Sequence, residues 1–149
     1  MKRSFGILPY KVEEGLKLYL VHMGGPYWKK RKRSWSIVKG EPEEGEEPLS
    51  AAVREFFEET GQKIEGNFIP LGTVKTPFKT VTVWAVEAEP DTKISSNSFT
   101  IEWPPHSGIK KEFPEVDRAG WFSPEDAEKI VVKSQIPIIE RVKNLLQKN

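Results

Sequence analysis

The sequence contains no cysteine and only two histidines among its 149 residues. The lack of cysteine excludes disulfides, thiolate nucleophiles and cysteine-ligated zinc. With two histidines, a histidine-rich transition-metal site is not expected either. Any metal ion that this protein uses should therefore be a hard cation held by carboxylate oxygens.

Long apolar segments and an excess of one charge are also missing. No segment approaches the roughly 20 apolar residues of a membrane-spanning helix, and no long apolar run follows the N-terminal basic residues. We therefore expect no membrane partner and, by default, a cytoplasmic location. Lys and Arg number 23 against 22 Asp and Glu, so the balance of charge argues against nucleic acid as the main partner.

The length and the order of predicted elements favour one α/β domain over residues 1–149. Apolar, β-prone segments predict strands at 4–10, 16–22, 35–38, 68–75, 78–87 and 119–122, the first two as a hairpin. Helices are predicted at 48–60, after Ser123, and from about 134 to 146. The stretch 89–118, rich in Pro and Ser, is expected to be mostly irregular. Strands on both sides of a central helix predict a mixed β-sheet flanked by helices.

The helix at 48–60 has the clearest signals of all. Pro48 suits the first helical position, where its missing N–H has no intrahelical partner, and Gly61 suits a left-handed stop. A core-facing stripe at helical spacing comprises Leu49, Ala52, Val53, Phe56 and Thr60.

Three glutamates follow one side of this helix. Glu55, Glu58 and Glu59 stand at i, i+3 and i+4, where like charges repel and destabilise a helix by a few tenths of a kcal/mol. A divalent cation would convert that repulsion into attraction. Taken alone, however, three glutamates also fit a solvated acidic helix face.

The wider pattern decides between these interpretations. The chain reads Gly40, five residues, Glu46, seven residues, Arg54-Glu55-Phe56, one residue, Glu58-Glu59, one residue, Gly61. This segment resembles the Nudix box in its fixed glycines, glutamates, arginine and apolar position. The closing position departs from the family, which usually has an aliphatic residue where this chain has Gln62. That position packs rather than reacts, so the departure concerns packing.

The resemblance covers most of the chain and implies a Nudix α/β/α sandwich. It implies a Mg²⁺-dependent hydrolase, with Mn²⁺ as a substitute, that cleaves a phosphoanhydride bond of a nucleoside diphosphate linked to another group. The implied metal ligands are Gly40, Glu55, Glu58 and Glu59, with Glu58 bound directly or through water. Arg54 would orient Glu55, and Glu46 would brace the loop.

Outside the box, Glu115 is the first candidate for a further metal ligand or general base. It precedes Trp121 by six residues, and Nudix proteins often carry an acid about there. Glu112 is the alternative, and either residue also fits an ordinary exposed loop glutamate.

Candidate substrate-binding residues are cationic or aromatic. They are Lys39 beside the first glycine of the box, Lys29, Arg31 and Arg33 in a run of five basic residues, and the loop aromatics Trp28 and Trp103. Such cations favour a small-molecule nucleotide rich in phosphate, such as a diadenosine polyphosphate or a nucleoside triphosphate, although a solubilising loop fits the basic run equally well.

Two rival functions remain open: nucleotide or RNA binding without turnover, and RNA decapping. The oligomeric state stays open too.

Overall fold

Nine strands and three α-helices make up residues 1–147, the part of the chain that this computed structural model describes. The predicted domain also includes Lys148 and Asn149, which lie outside the described residues. The strands are β1 (Lys2–Val12), β2 (Leu16–Met23), β3 (Trp35–Ser36), β4 (Val38–Gly40), β5 (Ile69–Lys75), β6 (Lys79–Glu87), β7 (Ser98–Glu102), β8 (Lys110–Pro114) and β9 (Val116–Phe122). The helices are α1 (Pro48–Thr60), α2 (Pro124–Ile130) and α3 (Ile136–Leu146), with a 3₁₀ turn at Lys133–Gln135 before α3.

Strand β1 lies in the middle of a seven-stranded mixed sheet. It runs parallel to β6 along nine residue pairs, from Lys2–Lys79 to Tyr10–Glu87. On its other edge it pairs antiparallel with β4 and then with β2. Strand β2 continues the sheet to β3 and β9, and β6 continues it to β5. The predicted hairpin of the first two strands is confirmed.

Both faces of this sheet are covered, so β2 is buried along nearly its whole length. Leu18 and Leu20 face the core that α2 and α3 cover, whereas Tyr19 and Val21 face the core under α1. Alternation along the strand therefore separates two apolar clusters and does not separate core from solvent. This arrangement confirms the predicted α/β class with helices on both sides of a mixed sheet.

Helix α1 has the bounds that the sequence predicts. Pro48 occupies its first turn, and Gly61 adopts a left-handed φ of 77° while its N–H donates to the Phe57 carbonyl at 2.7 Å. Phe56 and Thr60 are buried on the core face. Helix α2 also begins as predicted, because the Ser123 hydroxyl accepts from the Asp126 N–H at 3.1 Å. At the end of α3, Leu145 is 39% exposed.

The prediction of an irregular stretch at 89–118 is wrong in its second half. Strands β7 and β8 form a separate antiparallel hairpin, and β9 begins at Val116 and not at 119. The alternation in Ser98–Glu102 (SFTIE) is a strand signal that the surrounding prolines and serines obscure. No helix among residues 1–147 is long and apolar enough to cross a membrane.

Candidate active site

Helix α1 holds the predicted glutamates above a cavity of about 400 Å³ at the ends of β1, β2 and β6. Glu55, Glu59 and Glu115 line this cavity together with Gly40. Glu58 does not line it, and its side chain is 35% exposed. The spacing on the helix explains this difference, because Glu55 and Glu59 lie one turn apart beside the buried stripe and Glu58 points further outward. We call this cavity the carboxylate pocket.

Arg54 connects the helix to the preceding acidic loop. Its guanidinium donates to both carboxylate oxygens of Glu46, at 2.9 and 3.0 Å. The same group reaches Glu58 at 2.7 Å, Glu55 at 3.1 Å and the Glu41 carbonyl at 3.0 Å. A planar guanidinium with five donors is suited to several carboxylates at once. The orienting role for Arg54 and the bracing role for Glu46 remain predictions that these contacts favour.

Glu59 is the most unusual ionisable group of the site. Its Oε2 is buried and has no hydrogen-bond partner among residues 1–147. Burial, and then the charges of Glu115 and Glu55, raise the pKa of the Glu59 carboxyl to about 8. Desolvation and like charges both disfavour the carboxylate form. A buried oxygen without a partner is the kind of atom that a cation would satisfy.

The absence of a side chain at Gly40 makes room for the Glu55 side chain. A Cβ at position 40 would overlap the Glu55 carboxyl group, so only glycine leaves room for that side chain. Burial raises the pKa of the Glu55 carboxyl, and the Arg54 guanidinium partly opposes the shift.

Glu115 comes from the short link between β8 and β9, which is anchored at two points. The Gly24 N–H donates to the Glu115 carbonyl at 2.9 Å, and the Glu115 N–H donates to the Asn97 carbonyl at 2.7 Å. Asn97 in turn donates its N–H to the Glu58 carbonyl of α1 at 2.9 Å. The backbone therefore ties Glu115 to the helix that carries the other carboxylates. The alternative candidate, Glu112, is exposed on β8 and does not line the pocket.

Three lysines line the same pocket as the carboxylates: Lys39, Lys79 and Lys2. Burial and the neighbouring Lys79 ammonium lower the pKa of Lys39 to about 8. Sequence reasoning found Lys39 but missed Lys2 and Lys79. These two are directly paired in the β1–β6 ladder, and no local signal in the sequence indicates such a long-range parallel pairing.

The other predicted substrate contacts are dispersed. Trp28 lines a smaller cavity of about 150 Å³ that shares Lys39 and Lys79 with the carboxylate pocket. Lys29 and Trp103 line a different cavity. The Arg31 guanidinium lies 3.9 Å from the centre of the Tyr27 ring. Arg33 donates to the Glu128 and Val131 carbonyls, at 2.7 and 3.0 Å, and so binds the end of α2 away from the pocket.

Gln62, where the sequence departs from the Nudix box, forms hydrogen bonds instead of apolar packing. Its amide nitrogen donates to the Asp91 carbonyl and its amide oxygen accepts from the Asp91 N–H, both at 2.8 Å. This pair fastens the end of α1 to the segment after β6. The nearby Ile64 supplies the buried apolar side chain of this region.

The donor set suits a hard divalent cation. Carboxylate oxygens and a backbone carbonyl are ligands that Mg²⁺ prefers, and Glu59 Oε2 lacks any other partner. In the arrangement described, Glu55 and Glu58 turn toward Arg54, and no group of three acidic or histidine side chains within residues 1–147 converges as a formed metal site. Arg54 contacts Glu55 through Oε1 and Glu58 through Oε2, so each carboxylate keeps one oxygen that Arg54 does not occupy and that a cation could bind.

The NUDIX domain family model matches residues 1–142. The chain belongs to the Nudix family, a class of hydrolases that act on phosphoanhydride bonds.

Among solved structures, the chain is similar to an Ap4A hydrolase of C. elegans (TM-score 0.70, 19% identity, covering 99% of this chain and 98% of that one). It is also similar to the NUDIX domain of NrtR from Shewanella oneidensis, crystallised with ADP ribose (0.67, 14%, 98% and 88%). A MutT protein from Methanosarcina mazei Go1 is a third neighbour (0.65, 18%, 99% and 96%). At these identities the likeness shows the fold. No curated protein sequence matches the chain.

Proposed function

We propose that this protein is a Mg²⁺-dependent pyrophosphohydrolase of phosphate-rich nucleotides. The observation that supports it most directly is the meeting of Glu55, Glu59 and Glu115 with Gly40 in one pocket. Mn²⁺ is the expected substitute for Mg²⁺. The expected substrate is a nucleoside diphosphate joined to a further group, and the expected location remains the cytoplasm.

The proposed mechanism divides the work between the carboxylates and the lysines of the pocket. The cation would be held by Glu55, Glu58, Glu59 and the Gly40 carbonyl. A bound cation would neutralise phosphate charge and make a water molecule a better nucleophile. Lys39 and Lys79 would hold the phosphate chain and stabilise the charge that develops on it. Glu115 would take the proton of the attacking water. The water oxygen would bond to one phosphorus of the anhydride while the bridging P–O bond breaks, and the other phosphate leaves with the bridging oxygen as the second product.

The lysines favour polyphosphate over sugar diphosphate substrates. Three lysines line this pocket, Lys2, Lys39 and Lys79, and together they could neutralise a chain of more than two phosphates. The similar C. elegans protein is an Ap4A hydrolase, which is consistent with a diadenosine polyphosphate as the substrate. Trp28, which lines the adjoining cavity, would stack on a base.

Binding without turnover is the second candidate. The ion pairs of Glu55 and Glu58 with Arg54 favour it, since a carboxylate that is already paired with a guanidinium binds a catalytic cation less strongly. The NrtR domain crystallised with ADP ribose has the same fold.

One experiment separates the two candidates. The protein is incubated with Mg²⁺ and diadenosine polyphosphates, nucleoside triphosphates, ADP-ribose, other nucleotide sugars or capped RNA, and products are resolved by chromatography. We expect turnover of the polyphosphates, abolished by EDTA and by Glu59→Gln. Glu112→Gln is the matched control and should retain full activity, because Glu112 lies outside the pocket. Nucleotide binding without any product would establish the second candidate.

A further inference from the structure

A second cavity, of about 550 Å³, lies beside the basic loop. Val21 lines the carboxylate pocket, whereas its chain neighbour His22 and the cross-strand partner of His22, Arg118, line this second cavity. Because successive residues of a strand point to opposite faces, the two cavities lie on opposite faces of the β2–β9 pair. We call the second one the rear cavity.

The two cavities differ in the sign of their charge. The carboxylate pocket sets three lysines against four glutamates and so requires a cation to accept a polyphosphate. The rear cavity sets three cations, Lys29, Lys111 and Arg118, against the single carboxylate of Asp117. That carboxylate contacts His22 Nδ1 at 2.8 Å and Arg118 Nε at 3.6 Å, so Lys29 and Lys111 are the two cations of this cavity without an ion pair among residues 1–147. The rear cavity can therefore attract an anion without any metal.

His22 brings an imidazole to the lining of this cavity. Its side chain is only 8% exposed, and its Nδ1–H donates to the Asp117 carboxylate. The edge-on Trp35 ring, 5.3 Å away between centroids, helps to fix the imidazole. Within residues 1–147 no hydrogen bond engages Nε2. A rigidly held imidazole with one nitrogen unused provides a directional contact for a polar ligand group.

Aromatic groups complete the lining. Trp103 and Phe113 from the β7–β8 hairpin face the same space, and the volume falls in the range of small-molecule sites. Aromatic surface beside cations fits a ligand that has both a ring and a phosphate. We propose that the rear cavity is a second, metal-independent binding site for a compound of the nucleoside monophosphate class.

The test is a calorimetric titration of AMP into the full-length protein in EDTA. Lys110 and Lys111 are consecutive exposed residues of β8, and only Lys111 lines the rear cavity. We expect one AMP per chain, with Lys111→Ala weakening binding about tenfold, as loss of one charge-assisted contact would. Lys110→Ala removes the same charge from the other face of the strand and should bind AMP as the wild type does.

Further measurements define the ligand class and the outcomes that overturn the proposal. Inorganic phosphate should bind more weakly than AMP, and Trp103→Leu should weaken AMP but not phosphate. No AMP binding at millimolar concentration, equal effects of Lys110→Ala and Lys111→Ala, or loss of binding in Lys79→Ala would each overturn it. Since these titrations need neither metal nor turnover, failure here is distinct from failure of the proposed hydrolysis.

Discussion

The contact between Gly40 and Glu55 shows how one missing side chain can define the site. The Glu55 carboxyl group occupies the space where a Cβ of residue 40 would be. Any other residue at position 40 must push Glu55 out of place or move β4. A glycine at the end of a strand is thus required here by a neighbour and not by its own backbone conformation.

Gly40→Ala should therefore inactivate the enzyme without unfolding it. We expect turnover to fall about 100-fold, the scale of loss for a displacement of about 1 Å in a catalytic group. Steady-state kinetics with the substrate that the panel identifies gives the measurement, and far-ultraviolet circular dichroism checks the fold. Wild-type turnover in this variant would show that the position of Glu55 is not critical.

Gln62 offers a prediction about stability alone. Gln62→Leu restores the aliphatic residue usual in the family but removes both hydrogen bonds to Asp91. Because water can replace those bonds at the exposed Asp91, we expect the free energy of unfolding to fall by about 1 kcal/mol. Urea denaturation measures the change, with the exposed neighbour Lys63→Leu as the control. A more stable Gln62→Leu protein would mean that packing outweighs the hydrogen bonds.

Among the secondary-structure elements, the β7–β8 hairpin has the least expected role. The segment just before β7 is bonded to the backbone of α1 at two points. The Ser95 N–H donates to the Thr60 carbonyl at 3.0 Å, and the Asn97 N–H donates to the Glu58 carbonyl at 2.9 Å. Phe99 also lies against Gly25, where a Cβ would approach its ring to 2.8 Å. The hairpin therefore holds the end of the carboxylate helix, the loop after β2 and Glu115 in a fixed relation.

Two substitutions at Asn97 test this connection. Asn97→Pro removes the N–H that donates to the Glu58 carbonyl, whereas Asn97→Ala keeps it. We expect the proline variant to lose about tenfold in kcat/KM, the effect of roughly 1.4 kcal/mol in transition-state stabilisation. The alanine variant should stay near the wild type. Equal activities in the two variants would refute a positioning role for this backbone bond.

Sequence reasoning succeeded where a signal is local. The bounds of α1 were predicted correctly because Pro48 and Gly61 have backbone preferences that act at those positions alone. The hairpin at 98–114 was missed because its two strands, β7 and β8, are separated in sequence by an irregular loop. Lys2 and Lys79 were missed for the same reason on a larger scale, since only the parallel β1–β6 register brings them together.

For the whole molecule, the pocket sets a dependence of stability on pH. The pKa of Glu59 is raised to about 8, so between about pH 4.5 and 8 the folded metal-free protein holds a proton that the unfolded chain releases. The stabilisation from this group is complete at low pH and is lost as pH rises toward 8. The pKa of Lys39 is lowered to about 8, so between about pH 8 and 10.5 the unfolded chain holds a proton that the folded protein has released. In that range this group makes the free energy of unfolding increase with pH.

We therefore expect the thermal midpoint of unfolding of the metal-free protein to decrease as the pH is raised from 5.5 to 8. Glu59→Gln should flatten this slope, since the amide cannot titrate. Saturating Mg²⁺ should also flatten the dependence of the thermal midpoint on pH. The affinity for Mg²⁺ should increase as pH rises, because metal and proton compete for the same carboxylate. Calorimetric scans in EDTA and in Mg²⁺ provide the measurement, and Glu112→Gln provides the control. An unchanged slope in Glu59→Gln would assign the titration to another group.

The central place of β1 has a consequence for biosynthesis. Lys2 and Lys79 are paired, so 77 positions of chain must be added after Lys2 before the β1–β6 ladder can begin to form. At about 5–20 residues per second, β1 waits for several seconds with one edge exposed on a ribosome-bound chain. Of the strands described here, β1 is made first but is fully paired only once β6 has been made, and in that interval a chaperone that shields strand edges would have a substrate.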